Sequence, residues 1–380
     1  MAHCYQDIQE YKKALEQNQS SLQIYQFNNA FSQIFPEILA QILNNTASVY
    51  QQEMKLDLAL ERYLSALKIN EVIHLQNSQN KKIDLTNLSG NSELAINLTN
   101  ISTIYRDLED YKSAIQYGEQ ALQTFLNLYK QNQKLFGLQL ATAYGNLSVA
   151  YQCQEKFEKA LEYSEKSLKI FEQNKPLSLE TAHTLFNLSC LYEQIEDYQK
   201  SLQRGMASLA IQKHILVQDI QNNDEVQKQQ QDLNQENKNQ NSEQNGQQKE
   251  NQNLDLHYQQ KIYFKILEQV EKDSGKYELH QQIYDIEITK ETKKFFENDN
   301  VLALLEHIGG LYYFIEDFKR SIEIYEKAFD VREQQPPCEE TIILSNNLVL
   351  SLQEYGDNST AQFYSKFTKD TEKKLKEIKK

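Results

Sequence analysis

The stretch Ser92–Leu122, SELAINLTNISTIYRDLEDYKSAIQYGEQAL, says most about the architecture, because variants of it return further along the chain. The same residue classes recur in Ala141–Leu168, ATAYGNLSVAYQCQEKFEKALEYSEKSL, and in Thr181–Leu209, TAHTLFNLSCLYEQIEDYQKSLQRGMASL. Counted from one Asn in each copy, a Tyr follows at +5, an aromatic at +11 and small residues at +14 and +21. The three anchors are Asn100, Asn146 and Asn187. Self-similarity at a period of about 40 residues indicates an array of stacked helical repeats.

Further copies of the pattern extend along most of the chain. Counting from Asn45, His307 or Asn347 finds apolar and small residues at the same distances, and a degenerate copy surrounds Ile266. Half a copy, which contains Tyr5, begins the sequence. One such unit cannot bury its own apolar face, so its stability comes from stacking on its neighbours.

Each copy reads as two helices joined by a short polar turn. The apolar positions recur with the period of a helix and not with the alternation of a strand. Small residues at +14 and +21 would let a neighbouring helix approach closely, while the aromatics at +5 and +11 fill the space between pairs. We therefore predict an all-α fold, a right-handed α-solenoid of stacked helix-turn-helix pairs.

This pattern resembles the tetratricopeptide repeat family, whose succession of apolar, Tyr, turn, Ala and Ala-Leu positions is present as NLTNISTIYRDLEDYKSAIQYGEQAL. The spacings of 46 and 41 residues between the three anchors look more like the long repeats of kinesin light chains and GoLoco-motif scaffolds than the shorter form. Two features depart from the family: its Pro after the second helix is missing, and Glu usually replaces its turn Gly. The four turn residues are Glu109, Glu155, Glu196 and Glu316. The resemblance implies a scaffold that binds other proteins.

The segment Gln218–Leu256 interrupts the array, because 21 of its 39 residues are Gln or Asn and none is aromatic or Pro. Such a composition cannot bury enough apolar surface to order itself, so we predict disorder. The 79 residues between the copies at Asn187 and Ile266 fall to 40 without the insert, as expected for a segment looped out between stacked pairs; a hinge is the alternative. The predicted regions are an amino-terminal array over 1–217, the insert over 218–256, and three carboxy-terminal units with a Lys-rich terminal helix over 257–380.

Composition excludes several classes of function. A net charge of −14 without a recurring basic stripe opposes nucleic-acid binding. No run of 18 apolar residues predicts a membrane span, and four scattered Cys fit a reducing compartment, so we expect a cytoplasmic protein, with the cytoskeleton or cilium as possible sites. No phosphate-binding loop, paired CxxC or HExxH motif is present, so we expect no enzyme, no cofactor and no metal.

The repeated Asn is the best candidate for binding. An amide offers donors and an acceptor to a peptide backbone, and Asn lowers helix stability by a few tenths of a kcal/mol or more, so its recurrence calls for a reason. In the family that the chain resembles, this position lines the concave groove; the alternative is that the amides hold neighbouring pairs together. The expected groove residues are Asn45, Asn100, Asn146, Asn187, Asn347, Thr103, Asp107, His183 and Gln194. Because no Lys or Arg recurs among them, we expect no clamp for the acidic tail of a chaperone.

Two hypotheses about function follow. The first is a non-enzymatic scaffold or adaptor that binds a peptide segment or helix of another protein in its groove. The second is a structural subunit of a cytoskeletal or ciliary assembly, which could self-associate through the open edge left by the missing first helix; truncation of a longer protein would also explain that edge. Gly309-Gly310, inside a predicted first helix, indicates close approach by a neighbouring helix or by a bound segment.

Overall fold

The computed structural model describes residues 36–79, 85–236 and 299–378, with single positions at 13, 16–18, 20, 262–264, 266–267 and 270. Within these ranges the chain forms helices and no strand, so the predicted all-α fold is confirmed. The helices are α1 Pro36–Gln52, α2 Leu56–Gln79, α3 Leu85–Asp107, α4 Tyr111–Gln131, α5 Gln133–Cys153, α6 Phe157–Asn174, α7 Leu179–Gln194, α8 Tyr198–Glu236, α9 Asp299–Phe314, α10 Phe318–Arg332, α11 Glu339–Tyr355 and α12 Asn358–Ile378. The half copy that contains Tyr5 lies outside the described residues.

The chain divides into two compact units, Met1–Ile170 and Phe171–Lys380. In the first unit the helices from α1 to α5 pack on one another in chain order, and the first helices of successive pairs also touch, α1 with α3 and α3 with α5. In the second unit α7 to α12 pack in the same order, and α9 touches α11. Each helix pair corresponds to one copy of the sequence pattern, as predicted.

Every first helix in the described ranges is followed, one or two residues after its end, by a residue with left-handed backbone. The φ angles are 57° at Met54, 62° at Glu109, 57° at Glu155, 62° at Glu196, 63° at Glu316 and 94° at Gly356. In the pair α3–α4, the next backbone N–H, that of Asp110, then donates to the Tyr105 carbonyl over 2.8 Å, which is the closing bond of a Schellman motif. The Asp110 carboxylate in turn accepts from the Ser113 N–H and caps α4. Glu therefore takes the turn conformation that the family gives to Gly.

Small residues sit at the helix contacts, as the pattern predicts. Ala114 and Ala160, both at +14, are fully buried. Hydroxyl groups reinforce these contacts, because Ser102 Oγ donates to the Ala114 carbonyl over 2.6 Å and Ser148 Oγ to the Ala160 carbonyl over 2.7 Å. Each bond satisfies a buried hydroxyl and ties a second helix to the first helix of its own pair.

A second contact within the pairs joins position +2 of the first helix to position +18 of the second. In each of three pairs, a Gly at one of these positions faces a larger residue at the other. A Cβ on Gly118 would lie 3.0 Å from Ser102 Oγ, and one on Gly205 would lie 3.0 Å from Ser189 Oγ. In the pair α9–α10 the small residue is on the first helix, since a Cβ on Gly309 would lie 2.7 Å from the Tyr325 ring. The close approach of a neighbouring helix that the Gly doublet indicates is thus confirmed at Gly309.

The prediction of disorder from Gln218 is wrong for residues 218–236, because α8 continues to Glu236. Gln, Glu and Lys are good helix formers, and a helix that is already nucleated extends through them at little cost. Residues 237–256 lie outside the described ranges.

The pair α7–α8 is followed in space directly by the pair α9–α10. Helix α8 packs against α9, and His307 Nε2 lies 2.8 Å from Ser189 Oγ. Most of the degenerate copy around Ile266 lies outside the described residues; its Tyr263 is fully buried and donates its hydroxyl hydrogen to the Glu172 carboxylate over 2.5 Å.

Candidate functional site

The predicted groove residues occupy one stripe of the first helices, at positions 0, +3 and +7. On α3 this stripe is Asn100, Thr103 and Asp107, of which the first two are half-buried and the third is exposed. The side of α3 away from this stripe carries Leu98 and Ile101, which are buried. The stripe is therefore the side of the helix that the second helices leave uncovered.

Three of the predicted Asn residues lie on helices that touch one another in order, Asn45 on α1, Asn100 on α3 and Asn146 on α5. Asn45 is exposed and the other two are half-buried. In the described part of the chain, no hydrogen bond is made by these three amides or by the half-buried amide of Asn187 on α7. Within the described residues, the donors and acceptors of these amides therefore remain unused.

The other predicted groove residues differ in exposure and in whether they already bond within the chain. Asp107 accepts a hydrogen bond from Gln51 Nε2 over 3.3 Å and pairs with Arg106 over 2.8 Å, so its charge is already balanced. Thr103 donates back to the Thr99 carbonyl of its own helix over 3.1 Å. On α7, His183 and Gln194 are exposed.

The second unit contains a pocket of about 360 Å³ on this same side of its first helices. Its lining comes from α7, α9, α10 and α11 and combines carboxylates, aromatic rings and an amide. The residues are Glu193, Glu306, His307, Gly310, Tyr313, Phe314, Tyr325, Asn347 and Leu350. Asn347 is the one predicted groove residue among them.

The two glycines of α9 shape this pocket. Because Gly309 has no side chain, the Tyr325 ring packs directly on the α9 backbone. The hydroxyl end of Tyr325 reaches Gly310, where an added Cβ would lie 3.3 Å from the Tyr325 hydroxyl oxygen. This hydroxyl group also hydrogen-bonds the Asn347 side chain. Burial raises the pKa of the Tyr325 hydroxyl, so this group stays neutral and forms a polar wall.

His307 takes the position that Asn holds in the other repeats, and 10% of its side chain is exposed. Its ring packs edge-on against Phe186 with centroids 5.5 Å apart, and its Nε2 lies 2.8 Å from Ser189 Oγ. Burial lowers the pKa of His307 to about 4, so the imidazole is uncharged at neutral pH. Position 0 of α9 therefore carries a neutral imidazole in place of an amide.

Glu193 is the unbalanced charge of the pocket. Glu306 is paired with the buried Arg332, whose Nε lies 3.3 Å from its Oε1. The Glu193 carboxylate lies 3.4 Å from His307 Nδ1, and since that imidazole is neutral, Glu193 has no cationic partner among the described residues. Burial raises the pKa of Glu193, as expected for a carboxylate that has lost water without gaining a cation.

Sequence reasoning did not find Glu193, Tyr313 or Tyr325. Glu193 and Tyr313 both occupy position +6, where neither a carboxylate nor an aromatic residue recurs, and Tyr325 shares position +18 with Tyr63 alone among the copies counted from Asn or His. The Gly309-Gly310 doublet was the one signal, since it marks where a ring could pass over a helix. Within the described ranges, no three His, Cys, Asp or Glu side chains are placed to hold a metal ion. None of the helices described is long and apolar enough to span a membrane.

Comparison with known families agrees with the helix pairs. Residues 139–214 match a tetratricopeptide repeat family, and residues 302–335 match a second one. Residues 20–144 match a family described as an uncharacterised protein conserved in bacteria. No curated protein sequence matches the chain.

Among solved structures, BtubC (BKLC) from P. vanneervenii is similar with a TM-score of 0.48 and 15% identity, over 84% of this chain and 92% of that one. A putative kinesin light chain from Podosopora anserina with nearly identical TPR-like repeats gives a TM-score of 0.44 and 12% identity, over 75% of this chain and 97% of that one. The family matches at 139–214 and 302–335 coincide with helix pairs of the structure. Residues 139–214 and 302–335 therefore carry tetratricopeptide repeats.

Proposed function

We propose that the chain is a non-enzymatic scaffold that binds a segment of another protein along the exposed stripe of its first helices. Tetratricopeptide repeats are generally protein-binding modules, and neither repeat match describes an enzyme family. The finer proposal, that the stripe itself binds, rests on the amides of Asn100 and Asn146. They occupy equivalent positions on helices that touch, and they make no hydrogen bond with described residues.

These amides suit a peptide ligand for a physical reason. Each can donate to a carbonyl and accept from an N–H, which are the two groups that every residue of a peptide backbone presents. A hydrogen bond of this kind contributes about 0.5–1.5 kcal/mol, so two amides together would change affinity by roughly tenfold or more. Because these hydrogen bonds are made to the peptide backbone, they do not distinguish one peptide sequence from another. Any preference for particular peptide side chains must come from other parts of the surface.

The test begins with selection of binders to the full chain from a phage-displayed library of random peptides. The dissociation constant of a selected peptide is then measured by fluorescence polarisation for the wild type and for Asn100→Ala with Asn146→Ala. We expect about tenfold weaker binding by the variant. A matched control replaces Asn127 and Asn358, two exposed Asn residues on second helices, with Ala and should leave affinity unchanged.

Two results would contradict the proposal: a library that yields no binder, and peptides that bind the Asn100→Ala with Asn146→Ala variant as tightly as the wild type. Light scattering after size exclusion gives an independent reading of the same protein. A monomer that binds peptides supports the scaffold. A defined oligomer that binds none supports the structural subunit.

A further inference from the structure

The pocket of the second unit has a chemistry that the proposed function leaves unused. Its volume of about 360 Å³ falls in the range of roughly 300–1,000 Å³ that is usual for ligand sites. It lies beside Asn347, at the stripe positions of the first helices of the second unit, where a segment bound to that unit would lie. A side chain of the bound segment could therefore enter it.

The electrostatics of the pocket select the kind of side chain. Glu193 brings a negative charge that is 28% exposed and that no described cation balances. His307 is neutral, and Arg332 is engaged by Glu306. An acidic side chain would therefore be repelled, whereas a cation would gain a charge-assisted contact with Glu193.

The walls favour the same class of side chain. Tyr313 and Phe314 pack edge-to-face with ring centroids 6.1 Å apart, and Phe314 is 52% exposed. Aromatic faces attract cations through their negative quadrupole, so a cation beside Glu193 would gain from them as well. At the rim, Leu350 is 48% exposed and offers apolar surface to the methylene stem of a long side chain.

We propose that this pocket receives a lysine or arginine side chain of the bound protein segment, with Glu193 as its counter-ion and the rings of Tyr313, Phe314 and Tyr325 as its walls. This inference rests on the proposed function, because it names one residue of the segment that the first-helix stripe binds. The pocket would give the scaffold a preference for a particular peptide sequence, which hydrogen bonds from Asn side chains to the peptide backbone cannot give.

The experiment uses the same random-peptide selection, run in parallel on the full-length wild type and on Glu193→Gln. We expect Lys or Arg to be enriched at one position of the wild-type binders and not among the Glu193→Gln binders. The control Glu377→Gln removes an exposed carboxylate near the end of α12 and should keep the enrichment.

A selected peptide and its counterpart with norleucine at the enriched position then give a double-mutant cycle. For the wild type we expect the norleucine peptide to bind at least tenfold more weakly, and for Glu193→Gln we expect little difference between the two peptides. Circular dichroism checks that the variant is folded. Leu350→Lys, at an exposed position, provides a second test, since its ammonium group would compete for the pocket and reduce the preference for the basic peptide.

The outcomes separate the two proposals. Binders without enrichment of Lys or Arg would overturn the pocket inference and leave the scaffold function standing. Enrichment that survives both Glu193→Gln and Leu350→Lys would also overturn it, because the basic residue would then bind elsewhere. A library without any binder would overturn the scaffold function and the inference with it.

Discussion

The helix pairs α3–α4 and α9–α10 solve the same packing problem in opposite ways. In α3–α4 the first helix carries the larger residue, Ser102, against Gly118 on the second helix. In α9–α10 the first helix carries Gly309 and the second carries Tyr325. The hydroxyl bond is reversed as well: Ser102 donates from the first helix to the second, whereas Ser321 of α10 donates back to the Gly309 carbonyl over 2.9 Å.

The difference shows how a repeat array acquires a local pocket without changing its framework. Both pairs keep a buried hydroxyl bond and a close contact between helices, so stacking continues through either one. Only the arrangement in α9–α10 passes an aromatic ring from the second helix across the backbone of the first. The ring of Tyr325 thereby becomes a wall of the pocket that also contains Glu193.

The largest expected effect comes from removing that ring. Tyr325→Ala should lower the free energy of unfolding by about 3–5 kcal/mol, because it empties a buried aromatic site beside a glycine that cannot fill it. The shift of the urea unfolding midpoint of the full chain measures this change. Tyr355→Ala, at a residue that is more than half exposed, should change the midpoint far less. Equal shifts would mean that Tyr325 contributes little packing to the pair.

Acid should weaken the pair α9–α10 through His307. Its folded-state pKa is about 4 against an ordinary value of 6.5, so between these pH values the unfolded chain binds a proton that the folded chain does not. Stability contributed by the neutral imidazole is therefore present above pH 6.5 and falls, by about 3 kcal/mol in all, as the pH drops toward 4.

His307→Asn restores the amide found at this position in other repeats and removes the titrating group. We expect urea unfolding of this variant to depend less on pH in that window than unfolding of the wild type. Parallel pH profiles for the two proteins would show instead that the folded protein holds His307 protonated against Glu193.

Introducing the packing arrangement of α3–α4 into α9–α10 should lower the free energy of unfolding by a smaller amount. Gly309→Ser places a Cβ against the Tyr325 ring and should destabilise the chain by about 1–3 kcal/mol, the usual range for overpacking. Combining it with Tyr325→Gly recreates the arrangement of Ser102 and Gly118. The unfolding free energies should then show a double variant less destabilised than the sum of the two single changes. Strict additivity would mean that the two positions do not compensate each other.

The smallest effects are expected in the turns. Gly356→Ala puts a Cβ on a residue with φ of 94° and should cost about 1 kcal/mol, whereas Glu109→Gly should stabilise by about 0.5–1 kcal/mol because it relieves the same conformation. Glu61→Gly, in the middle of α2, is the matched control and should destabilise by about 1 kcal/mol. Thermal unfolding midpoints are sensitive enough to rank the three. A destabilised Glu109→Gly would show that the Glu side chain contributes more than its backbone costs.

The sequence was sufficient for the helix pairs because each pair repeats the same contacts. Ala114 and Ala160 are recognisable as packing residues since small residues recur at their position, and both are buried. The extension of α8 to Glu236 was missed because the prediction of disorder used composition alone, which indicates how little apolar surface the segment can bury. A helix that continues from an already packed helix can extend without burying further apolar surface. The contact of α8 with α9 was missed because the spacing of the copies reports order along the chain alone.

The pocket was unpredictable for a related reason. Glu193 occupies position +6 of its repeat, where other copies have Gln51, Arg106 and Gln152, so no carboxylate recurs there. Its environment depends on His307, more than a hundred residues away, having become neutral through burial. Periodicity identifies what all the copies share, whereas a pocket consists of what one copy does differently.

The direct packing of α8 on α9 has a consequence for how the chain can be divided. Residues 237–298 connect these neighbours covalently, but the contacts of α8 with α9, and that of Ser189 on α7 with His307, need no peptide bond between them. The connecting residues raise the effective concentration of α8 at α9. The entropic cost of closing such a loop grows only slowly with the number of residues in it. A chain cut between residues 237 and 261 would therefore give two complementing fragments able to reunite in solution, the first supplying Glu193 to the pocket and the second supplying its other lining residues.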